Sequence, residues 1–342
     1  MLLTKKLLLA ATIGCAVTTA FAAAPAAPVA AHKKAVSIAI VEPLQHEAMN
    51  EIIDGYRDGM KKAGFDAAIS IKNGQLDPNI EKSIFKELAS DKTQLVAPIG
   101  TTLFQMAAAT VPSKPIIGIA VSDNSVSTAV RKQMNPIRAT AISDSINPVD
   151  QLTFMHAVLP KMKKISLVYS ADDNIISQVT DIVKVAKTFG IQVQKLMVTS
   201  APDLYTISHH IDSDAGCIFI LKDHMVVSAI PQLAQQAQAL QIPLIASDDG
   251  SVQNGAAFAF GITERQIGEA SAKVTAAYLN GTSMKNLPVK MLTDYRVFLN
   301  APMAIKQGFT EKQITALQAI AKTNNYPIIN CTPTSCKASN NT

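Results

Sequence analysis

The sequence contains no tryptophan, few aromatic residues and little charge. Of its 342 residues, 5% are aromatic, 17% are charged and 48% are hydrophobic. This composition is typical of a globular protein and excludes a disordered chain. The formal net charge is only +5, from 31 basic and 26 acidic residues, and its scatter along the chain argues against a nucleic-acid-binding surface. A chain of this length accommodates about two domains, each with its own core.

The sequence also lacks the motifs of several enzyme and cofactor-binding classes. It has no nucleophile elbow, no phosphate-binding loop and no zinc-like spacing of Cys and His. We therefore expect no cofactor and no metal, and a binding protein rather than an enzyme. Beyond the N-terminus, we predict no membrane-spanning helix.

The N-terminus has the three parts of a secretory signal peptide. Lys5 and Lys6 precede an uncharged apolar run over residues 7–17, which is too short for a comfortable membrane span. A small-x-small cleavage site follows at residues 20–22. We predict a cleaved signal peptide over residues 1–22 and export to the periplasm or another extracytoplasmic space.

The segment after the predicted cleavage site is rich in Ala and Pro and has no core pattern, so we predict a disordered leader over residues 23–34. A lipid anchor at Cys15 is the alternative to a free exported protein. Thr12 stands where such lipoprotein sites normally have Leu, and we therefore favour cleavage of the whole signal peptide.

Two of the four cysteines lie in a polar C-terminal segment, for which we predict a flexible tail over residues 323–342. An exported protein meets an oxidising compartment, so a disulfide between Cys331 and Cys336 is one expectation and two free thiols are the other. Cys217 lies in an apolar strand pattern and is expected to act as a small core residue.

Short apolar, β-branched runs alternate with helical stretches in two successive sets. The runs of the first set lie at residues 36–41, 67–71, 94–99 and 116–121. Strands separated by helices predict βαβ units and parallel sheets. We predict an α/β fold with two doubly wound parallel-sheet lobes, one over residues 35–145 and one over 146–322, with part of 270–322 crossing back to the first lobe. A ligand is expected in the cleft between the lobes, at the carboxyl ends of the strands.

Several segments resemble one family of transport proteins in their order and spacing. They are VEPLQH (41–46), AISD (141–144), LVYS (167–170), DHMVVSA (223–229) and ASDDGSVQNG (246–255). Over residues 35–310 the chain is similar to the substrate-binding components of ATP-binding-cassette importers of the tryptophan/tyrosine type. The resemblance implies a type I periplasmic-binding-protein fold, a small-molecule ligand, and a permease with its ATPase as partners. Some relatives bind aromatic amino acids.

Polar residues that follow the predicted strands are candidates for ligand contact. Thr101 and Thr102 open a helix, where they would either hold a ligand carboxylate or cap the helix. Asp223 suits an ammonium group, with a helix cap as the alternative, and relatives often have Asn at the position of the adjacent His224. The remaining candidates are Glu42, His46, Ser122, Asp123, Asp144, Tyr169, Asp248 and Asp249.

Other roles are open for several of these candidates. Asp144 lies where the lobes change over, which suits a hinge as well as ligand contact. Asp248 and Asp249 fit either ligand contact or an Asp-Gly turn, and Tyr169 offers an aromatic wall. The aromatic residue that relatives have after residues 261–262 is absent here, so a polar or charged amino acid is as open as an aromatic one. Arg265, in that segment, offers a partner for an acidic ligand group.

The predicted function is therefore a monomeric, extracytoplasmic solute-binding receptor of an importer, which closes about a hinge on an amino acid or a similar zwitterion. The same fold would serve a receptor that signals to a membrane sensor. A hydrolase that uses Asp and His residues of the cleft is a third alternative, although binding proteins use the same residue types for zwitterions.

Overall fold

The computed structural model describes residues 34–45, 47–171 and 173–338, without the side chains at 34, 47, 173–174, 201, 224 and 337–338. The predicted signal peptide, Cys15, most of the predicted leader and His46 lie outside the described residues. None of the described helices is both long and apolar enough to span a membrane.

Strands and helices alternate along most of the described chain. The strands are β1 (Lys34–Glu42), β2 (Phe65–Asn73), β3 (Leu95–Pro98), β4 (Ile116–Gly118), β5 (Ala139–Ser143), β6 (Lys164–Ser170), β7 (Gln192–Val198), β8 (Cys217–Ile220), β9 (Leu244–Ala246), β10 (Phe258–Gly261), β11 (Lys290–Met291), β12 (Arg296–Leu299), β13 (Ile328–Thr332) and β14 (Ser335–Ala338). The helices are α1 (Glu47–Lys62), α2 (Pro78–Ser90), α3 (Thr101–Thr110), α4 (Asn124–Lys132), α5 (Pro148–Val158), α6 (Asp173–Thr188), α7 (Ala201–Ser208), α8 (His224–Val227), α9 (Ile230–Leu240), α10 (Asp249–Gln253), α11 (Glu264–Leu279), α12 (Ala301–Lys306) and α13 (Glu311–Thr323).

The first sheet is parallel and has the strand order β11-β5-β4-β3-β1-β2. Every residue of β3, β4 and β5 is buried, because helices cover both faces of the sheet. Strands buried on both faces are continuously apolar rather than alternating, which is the pattern that the sequence shows. This sheet and its helices α1 to α4 form the first lobe.

The second sheet has the order β14-β13-β12-β10-β9-β8-β6-β7. Strands β6 to β10 pair in parallel, whereas β12 runs antiparallel to β10. Helices α5 to α10, α12 and α13 accompany this sheet in the second lobe. The two sheets therefore confirm the predicted fold class of two doubly wound α/β lobes.

The chain passes between the lobes three times, at residues 143–148, 261–264 and 291–296. Helix α11 packs on α1, and β11 pairs with β5, so residues 264–291 return to the first lobe. Two of the crossing segments are joined directly, since the backbone N–H of Asn147 donates to the hydroxyl of Tyr295 at 3.3 Å. That hydroxyl donates in turn to Asp150 at 3.1 Å.

The contact between α1 and α11 depends on glycines. A Cβ added to Gly268 of α11 would overlap the carbonyl oxygen of Ile52 and lie 2.7 Å from the backbone nitrogen of Tyr56. A Cβ on Gly59 of α1 would lie 2.5 Å from the Cβ of Ala272. The absence of these side chains lets the two helix backbones approach each other closely, and this contact fixes the returning segment on the first lobe.

The C-terminal segment differs from the flexible tail that we predicted. Strands β13 and β14 form an antiparallel hairpin that extends the second sheet, and Cys331 is disulfide-bonded to Cys336 across it. The polar composition of this segment reflects its position at the edge of the sheet, where one side of each strand faces solvent.

The helical stretch that follows β8 is interrupted. Helix α8 ends at Val227 and α9 begins at Ile230, with Pro231 in its first turn. Proline has no N–H group and is accommodated in the first turn of a helix, so the helix ends before it and begins again.

Candidate functional site

A cavity of about 130 Å³ lies between the lobes at the carboxyl ends of their strands. From the first lobe, Ser122 and Asp123 follow β4 and Asp144 follows β5. From the second lobe, Lys222 follows β8 and Ser247 follows β9. The rest of the lining comes from Asn124, Ser125, Ser145, Ile146, Pro148, Gln151, Ser177, Gln178, Asp181, Ile182, Leu221 and Met291. The walls thus come from both lobes and the first crossing segment.

The first-lobe wall is held by a network of short polar side chains. The carboxylate of Asp123 accepts the backbone N–H groups of Ser125 at 2.8 Å and Val126 at 3.0 Å, which caps α4. The hydroxyl of Ser145 lies 2.7 Å from that of Ser143 and accepts the Asn124 amide at 3.3 Å. These bonds fix the loops after β4 and β5 relative to each other.

Lys222 is the basic side chain of the wall, and sequence analysis did not identify it. Its side chain is 16% exposed, and its ammonium donates to Glu264 at 2.7 Å. Burial by itself would lower the pKa of Lys222, but the carboxylates of Glu264, Asp144 and Asp248 outweigh burial and raise it. Lys222 is therefore a protonated cation. Because Glu264 opens α11, this ion pair joins the second lobe to the returning segment of the first.

Gln151 is a second lining residue that sequence analysis did not identify. Its side chain is 1% exposed, and its amide donates to the hydroxyl of Ser247 at 3.0 Å. That hydroxyl donates to the carbonyl oxygen of Ile220 at 3.1 Å. The chain of bonds places a rigid polar surface at the end of β8 and β9.

Of the predicted site residues, the structure brings Ser122, Asp123 and Asp144 to the cavity. Asp223 is 2% exposed and does not line it. The Asp223 carboxylate accepts the backbone N–H of Ser170 at 2.6 Å and that of Met225 at 3.1 Å. The structure therefore shows Asp223 in the capping role, which was one of its two predicted roles.

The predicted acidic pair, Asp248 and Asp249, also lies outside the cavity lining. Asp248 accepts the backbone N–H and the hydroxyl of Ser251, each at 2.7 Å, and so caps α10. Asp249 is the first residue of that helix, and burial, followed by the charge of Asp248, raises its pKa. A helix N-terminus thus replaces the Asp-Gly turn that the sequence suggested.

Thr101 and Thr102 are in the first turn of α3, but Gly100 is the N-cap, so neither threonine caps the helix as the sequence suggested. Thr101 is buried, and its hydroxyl accepts the backbone N–H of Asp123 at 3.4 Å. Thr102 is exposed. Neither threonine lines the cavity.

Three other residues have different surroundings from those predicted. Tyr169 is buried among apolar residues of β6 and does not form a cavity wall. Glu42, at the end of β1, is also buried and outside the lining. Arg265 forms an ion pair with Asp58 of α1 instead of facing the cleft. The side chain of His224 is outside the described part of the structure.

Comparison with known proteins agrees with this architecture. Residues 37–328 match the family model described as ABC transporter substrate binding protein. The chain is 31% identical to the uncharacterized protein RP367 of Rickettsia prowazekii (strain Madrid E) over 281 residues, covering 82% of this chain and 88% of the relative. It is 26% identical to a tyrosine-binding protein of Clostridioides difficile (strain R20291), covering 78% and 79%.

A solved structure shares the fold. The ABC domain from Streptococcus pneumonia in complex with L-Trp superposes with a TM-score of 0.70 at 22% identity, covering 83% of this chain and 98% of that one. The family match extends over both lobes and all three crossing segments, and it confirms the family predicted from the sequence. The chain is a member of the ABC transporter substrate-binding protein family.

Proposed function

We propose that this protein is the extracytoplasmic receptor of an importer, which traps a small molecule between its lobes and delivers it to a membrane permease driven by an ATPase. The observation that carries the proposal is the cavity whose walls come from both lobes. A ligand in contact with both walls stabilises the closed arrangement more than the open one, and this difference in affinity drives closure.

The three crossing segments would act as the hinge. They are short, and Asn147 and Tyr295 tie two of them together, so rotation of one lobe against the other needs changes in few backbone torsions. The permease would recognise the closed arrangement. Export through the predicted signal peptide would bring the protein to its site of action as a monomer.

The proposed ligand is an amino acid or a similar small zwitterion. Names of the relatives support this class, since one is a tyrosine-binding protein and another was solved with L-Trp. Among the described residues that line the cavity, none is aromatic. Stacking on an aromatic wall therefore does not favour an aromatic ligand here, and hydrogen bonds from polar groups would supply the specificity.

A thermal-shift screen of amino acids and small amines tests the proposal. A ligand that binds only the native protein raises its melting temperature by mass action. Ser177 lies on the cavity wall contributed by α6, so Ser177→Trp should fill the cavity and abolish binding of the ligand that the screen identifies. Ser83→Trp, on the exposed surface of α2, is the matched control and should retain full affinity.

Small-angle scattering of the same samples tests hinge closure. Saturating ligand should reduce the radius of gyration of the wild-type protein and of Ser83→Trp, but not that of Ser177→Trp. Full affinity in Ser177→Trp would place the ligand elsewhere and contradict the proposed site. Conversion of the bound compound into a product would favour an enzyme.

A further inference from the structure

The wall of the interlobe cavity has more acidic than basic side chains. Among its described residues, Asp123, Asp144 and Asp181 carry carboxylates, whereas Lys222 is the one basic side chain. Neutral polar groups make up most of the remaining wall. A ligand that enters this cavity therefore meets an excess of negative charge.

Lys222 offsets only part of this excess, because its single charge is shared among Glu264, Asp144 and Asp248. Its ammonium donates to Glu264 at 2.7 Å and to the carbonyl oxygen of Ile262 at 3.4 Å. Burial raises the pKa of Glu264, and the charges of Asp144 and Asp248 raise it further, against the opposing effect of Lys222. Two of the three N–H donors of Lys222 are thus engaged, and the carboxylates of Asp144 and Asp248 add negative charge near the ion pair.

Asp144 offers a second, independent observation. Its Oδ1 atom is buried from solvent and accepts no hydrogen bond from any described residue. A buried carboxylate oxygen without a donor is unfavourable, because water is lost and nothing replaces it. Asp144 is also at the first crossing segment, between the walls of the two lobes. An ammonium group in the cavity would supply the missing donor.

We propose that the ligand is a small cation, with a protonated amine that binds Asp144 and a net positive charge that matches the acidic wall. The shared chemistry of this class is an ammonium or guanidinium group, as in basic amino acids and short diamines. This inference rests on the proposed function, since it specifies the charge of the ligand bound in the same cavity.

The test is calorimetric titration of the full exported chain with L-arginine, L-lysine and putrescine, and with L-tryptophan, L-tyrosine and L-glutamate for comparison. At least one of the cationic probes should bind, and the neutral and acidic probes should bind more weakly. Putrescine, which has no carboxylate, distinguishes a diamine from a basic amino acid. Asp144→Asn should lower the affinity for the bound cation about tenfold to hundredfold, which is the range for loss of a charge-assisted hydrogen bond.

The matched control is Asp214→Asn. Asp214 pairs with Lys164 at the opposite end of β6, at 2.7 Å, so this variant loses the same charge at the distal edge of the sheet. Its affinity for the cation should stay within about twofold of wild type. Unliganded Asp144→Asn should have a melting temperature close to that of wild type, because removal of the charge on the buried oxygen without a donor offsets the lost attraction to Lys222. This second measurement shows that a loss of binding does not arise from misfolding.

Two results would overturn the inference. One is binding of tryptophan or tyrosine with an affinity that Asp144→Asn leaves unchanged, which would leave the proposed receptor function intact. The other is the absence of binding by all three cationic probes. The receptor function is then judged separately by Ser177→Trp with the ligand from the thermal screen, so the two ideas can fail independently.

Discussion

The close contact of α1 and α11 predicts that Gly268→Ala destabilises the protein. Alanine normally favours a helix over glycine by about 1 kcal/mol. At this position the new Cβ would overlap the carbonyl oxygen of Ile52 and lie 2.7 Å from the backbone nitrogen of Tyr56. Both atoms belong to the main chain of α1, so no side-chain rotation can relieve the overlap and the helices must separate.

The magnitude follows from these opposing effects. Overpacking of a well-packed contact costs about 1–3 kcal/mol, and the rigid partner places Gly268 at the upper end of that range. Subtracting the helix-propensity gain leaves a net loss of about 2 kcal/mol in the free energy of unfolding. At about 1.5 °C for each kcal/mol in a chain of this length, the melting temperature should fall by roughly 3 °C.

The assay is thermal and urea unfolding of Gly268→Ala beside Gly250→Ala. Among the described residues, Oδ1 of Asp248 is the one atom within 4 Å of a Cβ at Gly250, at 3.3 Å, and a shift of a few tenths of an ångström relieves this contact. This control should therefore change the stability by no more than about 0.5 kcal/mol. A Gly268→Ala protein as stable as wild type would mean that the helices are not held at backbone contact.

Two further predictions concern a buried acid and the terminal hairpin. Burial raises the pKa of Glu42 above its ordinary 4.5, so ionisation of this carboxyl lowers the free energy of unfolding as the pH rises toward and through the folded pKa. Glu42→Gln should therefore raise the melting temperature at pH 7 but not at pH 4. An equal rise at both pH values would exclude charge as the cause. Replacing Cys331 and Cys336 by Ser should cost about 2 kcal/mol, as expected for a short closed loop. A reductant should lower the melting temperature of wild type but not of the double variant, and equal sensitivity would contradict this role of the disulfide.

The alternation of apolar runs and helical stretches was sufficient to predict the fold. It is a local signal, because β-branched runs form buried strands and helix starts have recognisable caps. Asp77 followed by Pro78 is typical of the start of a helix, and the structure shows the Asp77 carboxylate accepting the N–H groups of Asn79 at 2.8 Å and Ile80 at 3.4 Å. Such signals need no knowledge of the rest of the chain.

The site was harder to predict because its residues are defined by distant partners. Lys222 stands beside Asp223 in the sequence, yet the lysine lines the cavity and the aspartate caps a helix. The decisive partner of Lys222 is Glu264, 42 residues further along the chain. Arg265 likewise pairs with Asp58, which is 207 residues away. Composition and spacing show which charged side chains follow a strand. They do not show which of these side chains form ion pairs with residues of another lobe or helix.

The terminal hairpin has a practical consequence for any shortened form of the protein. The family match ends at residue 328, where β13 begins, so truncation at that boundary would remove the neighbour of β12. The apolar residues Val297, Phe298 and Leu299 would then form the sheet margin, with unpaired backbone groups ready to join another molecule. A protein truncated there should self-associate at concentrations at which the intact chain stays in solution. Its low solubility would then be caused by the truncation and not by the ligand-binding lobes.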